Sequence, residues 1–305
     1  MPKRVLLIVN RKSRNGTADI DAFVERLRAG GMHIRPFMPD MPDEIPMLIR
    51  SHANSVDCVV VGGGDGSLNA AAPALMETHL PLGVLPLGTA NDLARTLNIP
   101  TDPAQACDII QDGILHRIDL GCVNGHYFFN VAHIGLGVEV KQLLSPELKR
   151  RLGIFSYAYS LFKAFRSFRP FHADIVCDQR CLRVRSIQIA IGNGRHYGGG
   201  MTVAPTASID NRRFSLYSIE PLKLWELIRL VPALHAGRFK DHHPVDIAQG
   251  THIEIRTRRT MLVTADGEAV THTPASFSIV PGAVNVFVPS CYFDDQQEIP
   301  HAAQR

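Results

Sequence analysis

The first 120 residues alternate short apolar runs with amphipathic segments. Apolar runs occur in "RVLLIVN" from Arg4, in "MHIRPFM" from Met32, at 58–61 and at 82–86. Segments with apolar residues at helical spacing lie between and after them. They predict helices from 20 to the glycines at 30 and 31, over 43–53, after 67, from 91 and over 102–111. This order predicts an open parallel sheet with helices on both faces.

From about residue 116 apolar and polar residues alternate with a period of two. Segments such as "HYFFNVA", "LRVRSIQIAIG", "SFSIVPG" and "VNVFVP" have the pattern of strands, and few helices separate them. Two helical inserts are expected, near 146–168 and 222–239. The pattern predicts an antiparallel sandwich or barrel that contacts the first domain across a cleft.

Composition places the chain among soluble globular proteins, with 305 residues, 45% of them apolar and 20% charged. No apolar run approaches the roughly 18 residues that span a bilayer, and the N-terminal "MPKRVLLIV" is too short for a secretory signal. We therefore expect a cytoplasmic protein with reduced cysteines. The net charge of +3 is too small to indicate a nucleic-acid partner.

A glycine-rich stretch, "VVVGGGDG", ends at Gly66 after the third apolar run. Ligands of open α/β sheets bind where strands end, and glycine lets backbone N–H groups face an anion beside a helix N-terminus. The stretch therefore predicts a phosphate site, with an ordinary tight turn as the alternative. Neither the G-x-G-x-x-G fingerprint nor the lysine of a P-loop is present.

An acidic residue, Asp65, lies inside this stretch. It would repel a phosphate unless a divalent cation or a hydrogen bond compensates, so it favours a metal–nucleotide complex. The next loop, "PLGTANDLAR", places Gly88, Thr89, Asn91 and Asp92 at the start of a further helix. A helix cap formed by Thr89 or Asn91 explains that loop equally well.

The motifs "VVGGGDGSLN" and "LPLGTANDLAR" together resemble those of the diacylglycerol kinase catalytic-domain superfamily, especially its soluble YegS-type bacterial lipid kinases. "RIDLGCVNGHYFFNVAHIGLG", "IAIGNGRHYGGGMTVAPTASIDN" and "ADGEAV" follow in the family's order, so the resemblance covers nearly the whole chain. It implies an N-terminal three-layer α/β domain and a C-terminal antiparallel β-sandwich. We place the nucleotide-binding domain at 1–122 with a C-terminal return at 290–305, and the lipid-substrate domain at 123–289.

The resemblance implies transfer of the γ-phosphate of ATP to a lipid hydroxyl, as in diacylglycerol, phosphatidylglycerol or a sphingoid-like lipid, with Mg²⁺ as cofactor. Three stretches are expected to bind ATP: Asn10, Arg11, Lys12, Ser13 and Arg14; Gly63, Gly64, Asp65, Gly66, Ser67, Leu68, Asn69 and Ala70; Gly88, Thr89 and Asn91. In the first, Lys12 and Arg14 would neutralise phosphate charge. The alternative for that stretch is a solvated surface loop.

Glu268 is the expected general base. On the residues alone, "MLVTADGEAV" predicts a hairpin turn at Asp266 and Gly267 with Glu268 on the next strand. The family's catalytic glutamate occupies the third place of the same D-G-E triplet, which implies that Glu268 faces the terminal phosphate and the lipid hydroxyl. Asp65 is the other expected catalytic acid.

The resemblance also implies a structural Mg²⁺ at Ser208, Asn211 and Arg213, where this chain departs from the family pattern. Asn211 replaces the usual aspartate, and Asp210 stands one residue earlier. Asp92 and Asp119 match acidic family positions and are further candidates for a magnesium network. A helix-start charge and a domain-junction carboxylate are their structural alternatives.

A basic, aromatic segment, "ELKRRLGIFSYAYSLFKAFRSFRPF", has the composition of a helix that lies at a membrane surface. A core-packing helix with a solvated basic face is the alternative. The expected partners are thus ATP, the lipid and, transiently, the membrane surface; a homodimer stays open. The glycine-rich 192–201 stretch is either the wall of an acceptor pocket or a bulged connection.

Two competing functions share some of these motifs. NAD kinases and phosphofructokinases also carry a G-G-D-G-[ST] loop, which keeps a soluble acceptor open. A nucleotide-binding sensor or adaptor without catalysis is the alternative of another class, and Asn211 and Ser67 favour it. The retention of Asp65 and Glu268 favours a kinase.

Overall fold

A computed structural model of the chain describes residues 3–13, 20–144, 155–197, 201–202, 207–236 and 245–293. Within these ranges the helices are α1 (Ile20–Ala29), α2 (Glu44–His52), α3 (Asp65–Thr78), α4 (Asp92–Thr96), α5 (Pro103–Asp112), α6 (Leu136–Leu143), α7 (Phe155–Ser167) and α8 (Leu224–Ala236). The strands are β1 (Arg4–Val9), β2 (His33–Phe37), β3 (Cys58–Gly63), β4 (Leu82–Pro86), β5 (Ile114–Val123), β6 (His126–Phe128), β7 (Val131–Gly135), β8 (Phe171–Cys177), β9 (Arg180–Ser186), β10 (Gln188–Gly192), β11 (His196–Tyr197), β12 (Met201–Thr202), β13 (Phe214–Ile219), β14 (Val245–Gly250), β15 (His252–Thr257), β16 (Leu262–Ala265), β17 (Glu268–His272) and β18 (Ala275–Val288).

The first four strands form a parallel sheet in the order β2-β1-β3-β4. Every residue of β3 and β4 is buried, as expected for strands covered on both faces by helices. α1 packs against α5, and α2 packs against α3. The carboxyl ends of β1, β3 and β4 therefore meet at one edge of a rigid sheet.

The long strand β18 joins this parallel sheet to the antiparallel part of the chain. Its C-terminal half pairs with β4 through Val286 and Leu82, whereas its N-terminal half pairs with β15. β5 runs antiparallel along both halves, with an irregularity between Val280 and Val284. The sheet consequently continues without interruption from β2 through β4, β18 and β15 to β8 and β9.

A second, antiparallel sheet has the order β14-β13-β10-β7-β16-β17. One of its faces packs on the antiparallel part of the first sheet, through residues such as Ile134, Ile189 and Phe277. Its other face is covered by α6, α7 and α8, through residues such as Val140, Ala164 and Leu227. The predicted fold class, an α/β domain followed by a β-sandwich, is confirmed. None of the helices in the described ranges is long and apolar enough to cross a bilayer.

Four local predictions differ from the structure. The helix expected after 67 begins at Asp65, and "HYFFNVA" divides into β6 and β7 instead of forming one strand. The two segments at 276–282 and 284–289 belong mainly to a single strand, β18, because the chain crosses Gly282 with a positive φ of 56° and resumes pairing. α6 was not predicted. The inserts expected near 146–168 and 222–239 are α7 and α8, and the residues at 145–154 and 237–244 lie outside the described ranges.

Candidate active site

The D-G-E triplet forms the turn between β16 and β17. Asp266 and Gly267 have φ values of 44° and 84°, the left-handed conformations that a tight two-residue hairpin turn of type I′ requires. Ala265 pairs with Glu268 across this turn. Glu268 is therefore held at the first position of β17, where its side chain is exposed.

The carboxylate of Glu268 lies against the N-terminus of α3. Its Oε1 is 2.7 Å from the position that a Cβ would occupy on Gly66, the second residue of that helix. Only glycine leaves this space open without displacing the carboxylate. The structure thus brings the sandwich acid to the carboxyl edge of the parallel sheet, where ligands of such sheets bind.

The two predicted phosphate loops contact each other directly. A Cβ on Gly88 would lie 2.5 Å from the Cα of Gly64, so side chains at this contact would push the loops apart. Asn91, with φ 50°, accepts a hydrogen bond from the Gly88 N–H at 2.9 Å and donates to the Pro86 and Gly88 carbonyls at 3.2 Å each. The amide of Asn91 therefore shapes the second loop, whereas Thr89 is exposed.

Asp65 connects the two helices that begin at this edge. Its Oδ1 accepts a hydrogen bond from the N–H of Leu93 at 3.1 Å, in the first turn of α4. A carboxylate at two helix N-termini is favourable because both present N–H groups and positive partial charge. Asp65 thus has a structural contact that sequence reasoning did not supply, and its catalytic role stays a prediction.

The loop after β1 is also fixed to α3. Asn10 donates from Nδ2 to the hydroxyl of Ser67 at 2.9 Å and accepts from the N–H of Lys12 at 2.9 Å. Ser13 bonds the Asn10 carbonyl, and the side chains of Arg11 and Lys12 are exposed. Ser67 and Leu68 are buried, and Asn69 and Ala70 are half-buried; Arg14 lies outside the described residues.

Asp266 holds the hairpin onto the neighbouring chain. Its carboxylate accepts hydrogen bonds from the N–H groups of Phe129, Asn130 and Val131 at 2.7, 3.0 and 2.9 Å. These three bonds explain why β6 ends at 128 and β7 begins at 131. Burial raises the pKa of Asp266 to about 7; the charge of Asp65 adds to the rise and the three N–H groups oppose it.

Two further polar residues lie beside the turn, and sequence reasoning missed both. The ammonium of Lys141, on α6, is 2.6 Å from the position that a Cβ would occupy on Gly267. His133, on β7, is hydrogen-bonded to Gln188 at 3.0 Å, and burial followed by the charge of Lys141 lowers the pKa of His133 to about 4. No sequence signal separates Lys141 from other exposed lysines, because its position depends on how α6 packs.

The residues expected to hold a structural Mg²⁺ are engaged with protein donors. Asp119 accepts from the N–H groups of Arg212 and Gly282 at 2.8 and 2.7 Å. Asp210 accepts hydrogen bonds from Ser208, from His116 at 2.7 Å and from Tyr292 at 3.2 Å.

The other expected ligands complete this description. Asn211 accepts from the N–H of Arg213 at 3.0 Å, and Asp92 is buried in the first turn of α4. The side-chain oxygens of Asp119, Asp210 and Asn211 thus accept hydrogen bonds from protein donors, and the structural Mg²⁺ stays a prediction. No cluster of three or more His, Cys, Asp or Glu side chains suited to a metal occurs among the described residues.

Fold and site together define a two-domain phosphotransferase, with a glycine-rich sheet edge in one part and an acid from the other part placed against it. The diacylglycerol kinase catalytic domain model matches residues 4–123, and the YegS C-terminal NAD kinase beta sandwich-like domain model matches residues 130–288. The chain belongs to this family of YegS-type kinases.

Relatives support the same assignment over most of the chain. A protein of Pseudomonas fluorescens named "Probable lipid kinase YegS-like" is 30% identical over 95% of this chain and 97% of its own length. A "Diacylglycerol kinase" of Staphylococcus epidermidis is 28% identical over 81% of this chain and 79% of its own. A crystal structure of a diacylglycerol kinase from Bacillus anthracis, 20% identical, has a TM-score of 0.73 over 95% of this chain and 98% of that one; this likeness shows the fold alone.

Proposed function

We propose that this kinase is ATP-dependent and transfers the γ-phosphate to the hydroxyl of a membrane lipid. The observation that carries the proposal is the contact between Glu268 and Gly66, which joins an acid to the sheet edge where a triphosphate would bind. Phosphoryl transfer depends mainly on positioning and charge neutralisation, with a base near the attacking oxygen. This contact supports the proposal because it puts a candidate base beside the proposed phosphate site.

The nucleotide is proposed to lie along the N-terminus of α3. This helix has 14 residues and Gly64 as its N-cap, so no capping side chain covers its first N–H groups. Backbone N–H groups of the 64–67 turn would face the phosphates, and the exposed side chains of Arg11, Lys12 and Thr89 would border them. ATP enters as its magnesium complex, as a co-substrate.

Glu268 is proposed to accept the proton of the lipid hydroxyl as its oxygen attacks the γ-phosphorus and ADP leaves. Asp266 is a positioning residue in this scheme, because its three hydrogen bonds fix the turn that presents Glu268. Lys141 adds a positive charge beside the turn. Its position suits contact with the transferred phosphoryl group.

We propose that ATP binds to 1–122 together with the return at 290–305, and that the acceptor binds to 123–289. Tyr292 supports the assignment of the C-terminal segment to the first domain, since its side chain is buried in the core around the parallel sheet. Residues 294–305 lie outside the described ranges. The names of the relatives support a lipid acceptor. Such an enzyme would be cytoplasmic and would attach to the membrane only while acting.

The test offers labelled ATP with a panel of micellar lipids, NAD and sugar phosphates to the full chain. We expect label in a lipid product with the wild type and at most a residual trace with Glu268→Gln, which should still bind ATP. Label in NAD or a sugar would replace the lipid proposal with a soluble-acceptor kinase. A melting temperature that rises with ATP and Mg²⁺, without any labelled product, would support the sensor instead.

A further inference from the structure

The outward faces of α7 and α8 carry apolar side chains, whereas the solvent-facing side of a surface helix is ordinarily polar. Tyr159 and Phe162 on α7 are 48% and 50% exposed, and Trp225 and Ile228 on α8 are 50% and 56% exposed. These four are among the nine large apolar side chains that are exposed in the described part of the chain, and all the aromatic ones lie here.

Exposed basic residues accompany them at helical spacing. On α7, Tyr159, Phe162, Lys163 and Arg166 form a stripe with i, i+3, i+4 and i+7 spacing. On α8, Trp225, Ile228 and Arg229 form a second stripe, preceded by the exposed Lys223. We call these eight residues the outer helix face.

Each stripe of the outer helix face combines apolar and basic side chains. The Arg229 guanidinium lies over the Trp225 ring at 4.9 Å, so cation and aromatic ring form one unit. Glu226 is the adjacent acid, but it is half-buried and accepts the N–H of Lys223 at 2.6 Å. The exposed charges of the two stripes are therefore positive.

We propose that the outer helix face binds anionic lipid bilayers, with its aromatic side chains at the level of the headgroups. Aromatic rings favour that level, and clustered lysine and arginine are attracted to anionic lipids. The proposal rests on the proposed function, because it supplies the surface from which a lipid acceptor would be taken. It favours a bilayer over a protein partner because the stripes combine aromatic, aliphatic and positive side chains, and Glu226, the one acidic residue in the sequences of α7 and α8, is half-buried and hydrogen-bonded.

The same helical layer reaches the candidate active site. α7 and α8 cover one face of the sheet that contains β16 and β17, and the turn between those strands presents Glu268. α6 lies in this layer, packs against α7 and brings Lys141 to Gly267. The outer helix face and Glu268 therefore belong to one sheet and to the helical layer that covers it.

Trp225 is the only tryptophan of the chain, so intrinsic fluorescence reports on this face directly. The full chain is titrated with vesicles of phosphatidylcholine and phosphatidylglycerol at 3:1 and with vesicles of phosphatidylcholine alone. We expect a blue shift, and quenching by brominated acyl chains, with the anionic vesicles. An emission spectrum that does not change with either vesicle would overturn the proposal.

Substitutions that leave Trp225 in place separate the apolar and charged contributions. Phe162→Ser and Ile228→Ser should each weaken vesicle binding about tenfold, and Lys163→Glu should weaken it about fivefold or more. The matched controls are Met47→Ser, 63% exposed on α2, and Arg185→Glu, exposed on β9; both should bind as the wild type does. Equal losses in the controls would contradict the proposal.

Activity assays distinguish this inference from the proposed function. Ile228→Ser should lower kcat/KM about tenfold with a long-chain acceptor in vesicles and leave it unchanged with a short-chain acceptor dispersed as monomers. If the wild type phosphorylates lipids while Trp225 shows no vesicle response, the membrane face is wrong and the function stands. If Trp225 responds and no lipid is phosphorylated, the function is wrong and the face stands. A dimer that Ile228→Ser converts to a monomer, without any vesicle binding, would make the face a contact between copies and overturn the proposal.

Discussion

Gly66→Ala is the substitution that tests the candidate site most directly. The new Cβ would lie 2.7 Å from Oε1 of Glu268, whereas ordinary contact begins at 3.4 Å. The carboxylate is the free end of a flexible side chain, so it would move by about 0.7 Å or more rather than disrupt the fold. Misplacement of a catalytic group by about 1 Å can cost about 100-fold in rate, so we expect kcat to fall by about 10- to 100-fold.

Stability should change in the opposite direction. Gly66 lies in the first turn of α3. It is not one of the described glycines that have a positive φ, so alanine can adopt its backbone conformation. Replacement of glycine by alanine in a helix stabilises by up to about 1 kcal/mol. Urea denaturation should therefore show equal or higher stability for Gly66→Ala, which excludes unfolding as the cause of lost activity.

A double-mutant cycle with Glu268→Gln identifies the group that the alanine displaces. Steady-state kcat and the Kd for ATP are measured for the wild type, both single variants and the double variant. If Gly66→Ala acts through Glu268, it should cost little further rate in the Glu268→Gln background and leave the Kd for ATP unchanged. A kcat within threefold of wild type for Gly66→Ala, or an equal loss in both backgrounds, would refute the reasoning.

Three other predictions concern the surroundings of the site. The pKa of Asp266 is raised to about 7 from an ordinary 3.8, so its contribution to the free energy of unfolding is full below pH 4 and is lost as pH rises towards 7, by a few kcal/mol at most. In urea titrations at pH 5 and pH 8, Asp266→Asn should reduce the difference in the free energy of unfolding between the two pH values, and an unchanged difference would contradict the assignment. Lys141→Met should lower kcat/KM for ATP by about tenfold with unchanged stability, Lys141→Arg should restore part of it, and wild-type kinetics in the methionine variant would exclude Lys141 from the reaction. Burial alone would raise the pKa of Asp210, but hydrogen bonds from His116, Ser208 and Tyr292 outweigh burial and lower that pKa. The resulting stabilisation of the fold is present above the ordinary pKa of an aspartate and is lost in acid, so His116→Ala should lower the free energy of unfolding by about 1–2 kcal/mol at pH 7 and by less near pH 3. An equal loss at both pH values in urea denaturation would contradict this prediction.

The sequence pattern correctly predicted those strands and turns whose conformation depends mainly on residues nearby in the chain. β4 has the bounds that its apolar run predicts, and the turn at Asp266 and Gly267 forms where the D-G signal lies. The start of α3 was misplaced because Asp65 and Gly66 are poor helix formers, although the first helical turn tolerates both. α6 was missed because "LGVEV" alternates with the period of a strand.

The sequence by itself determined the two classes of structure, the glycine-rich edge and, through the family motifs, Asp65 and Glu268 as the candidate catalytic acids. Only the tertiary structure decided that Glu268 lies against Gly66, that Asp266 bonds the 129–131 backbone and that Lys141 reaches the turn. Glu268 and Gly66 are about 200 positions apart in the chain. Their contact depends on β18, which fixes the sandwich to the parallel sheet by long-range pairing, and periodicity over a few residues carries no information about such distances.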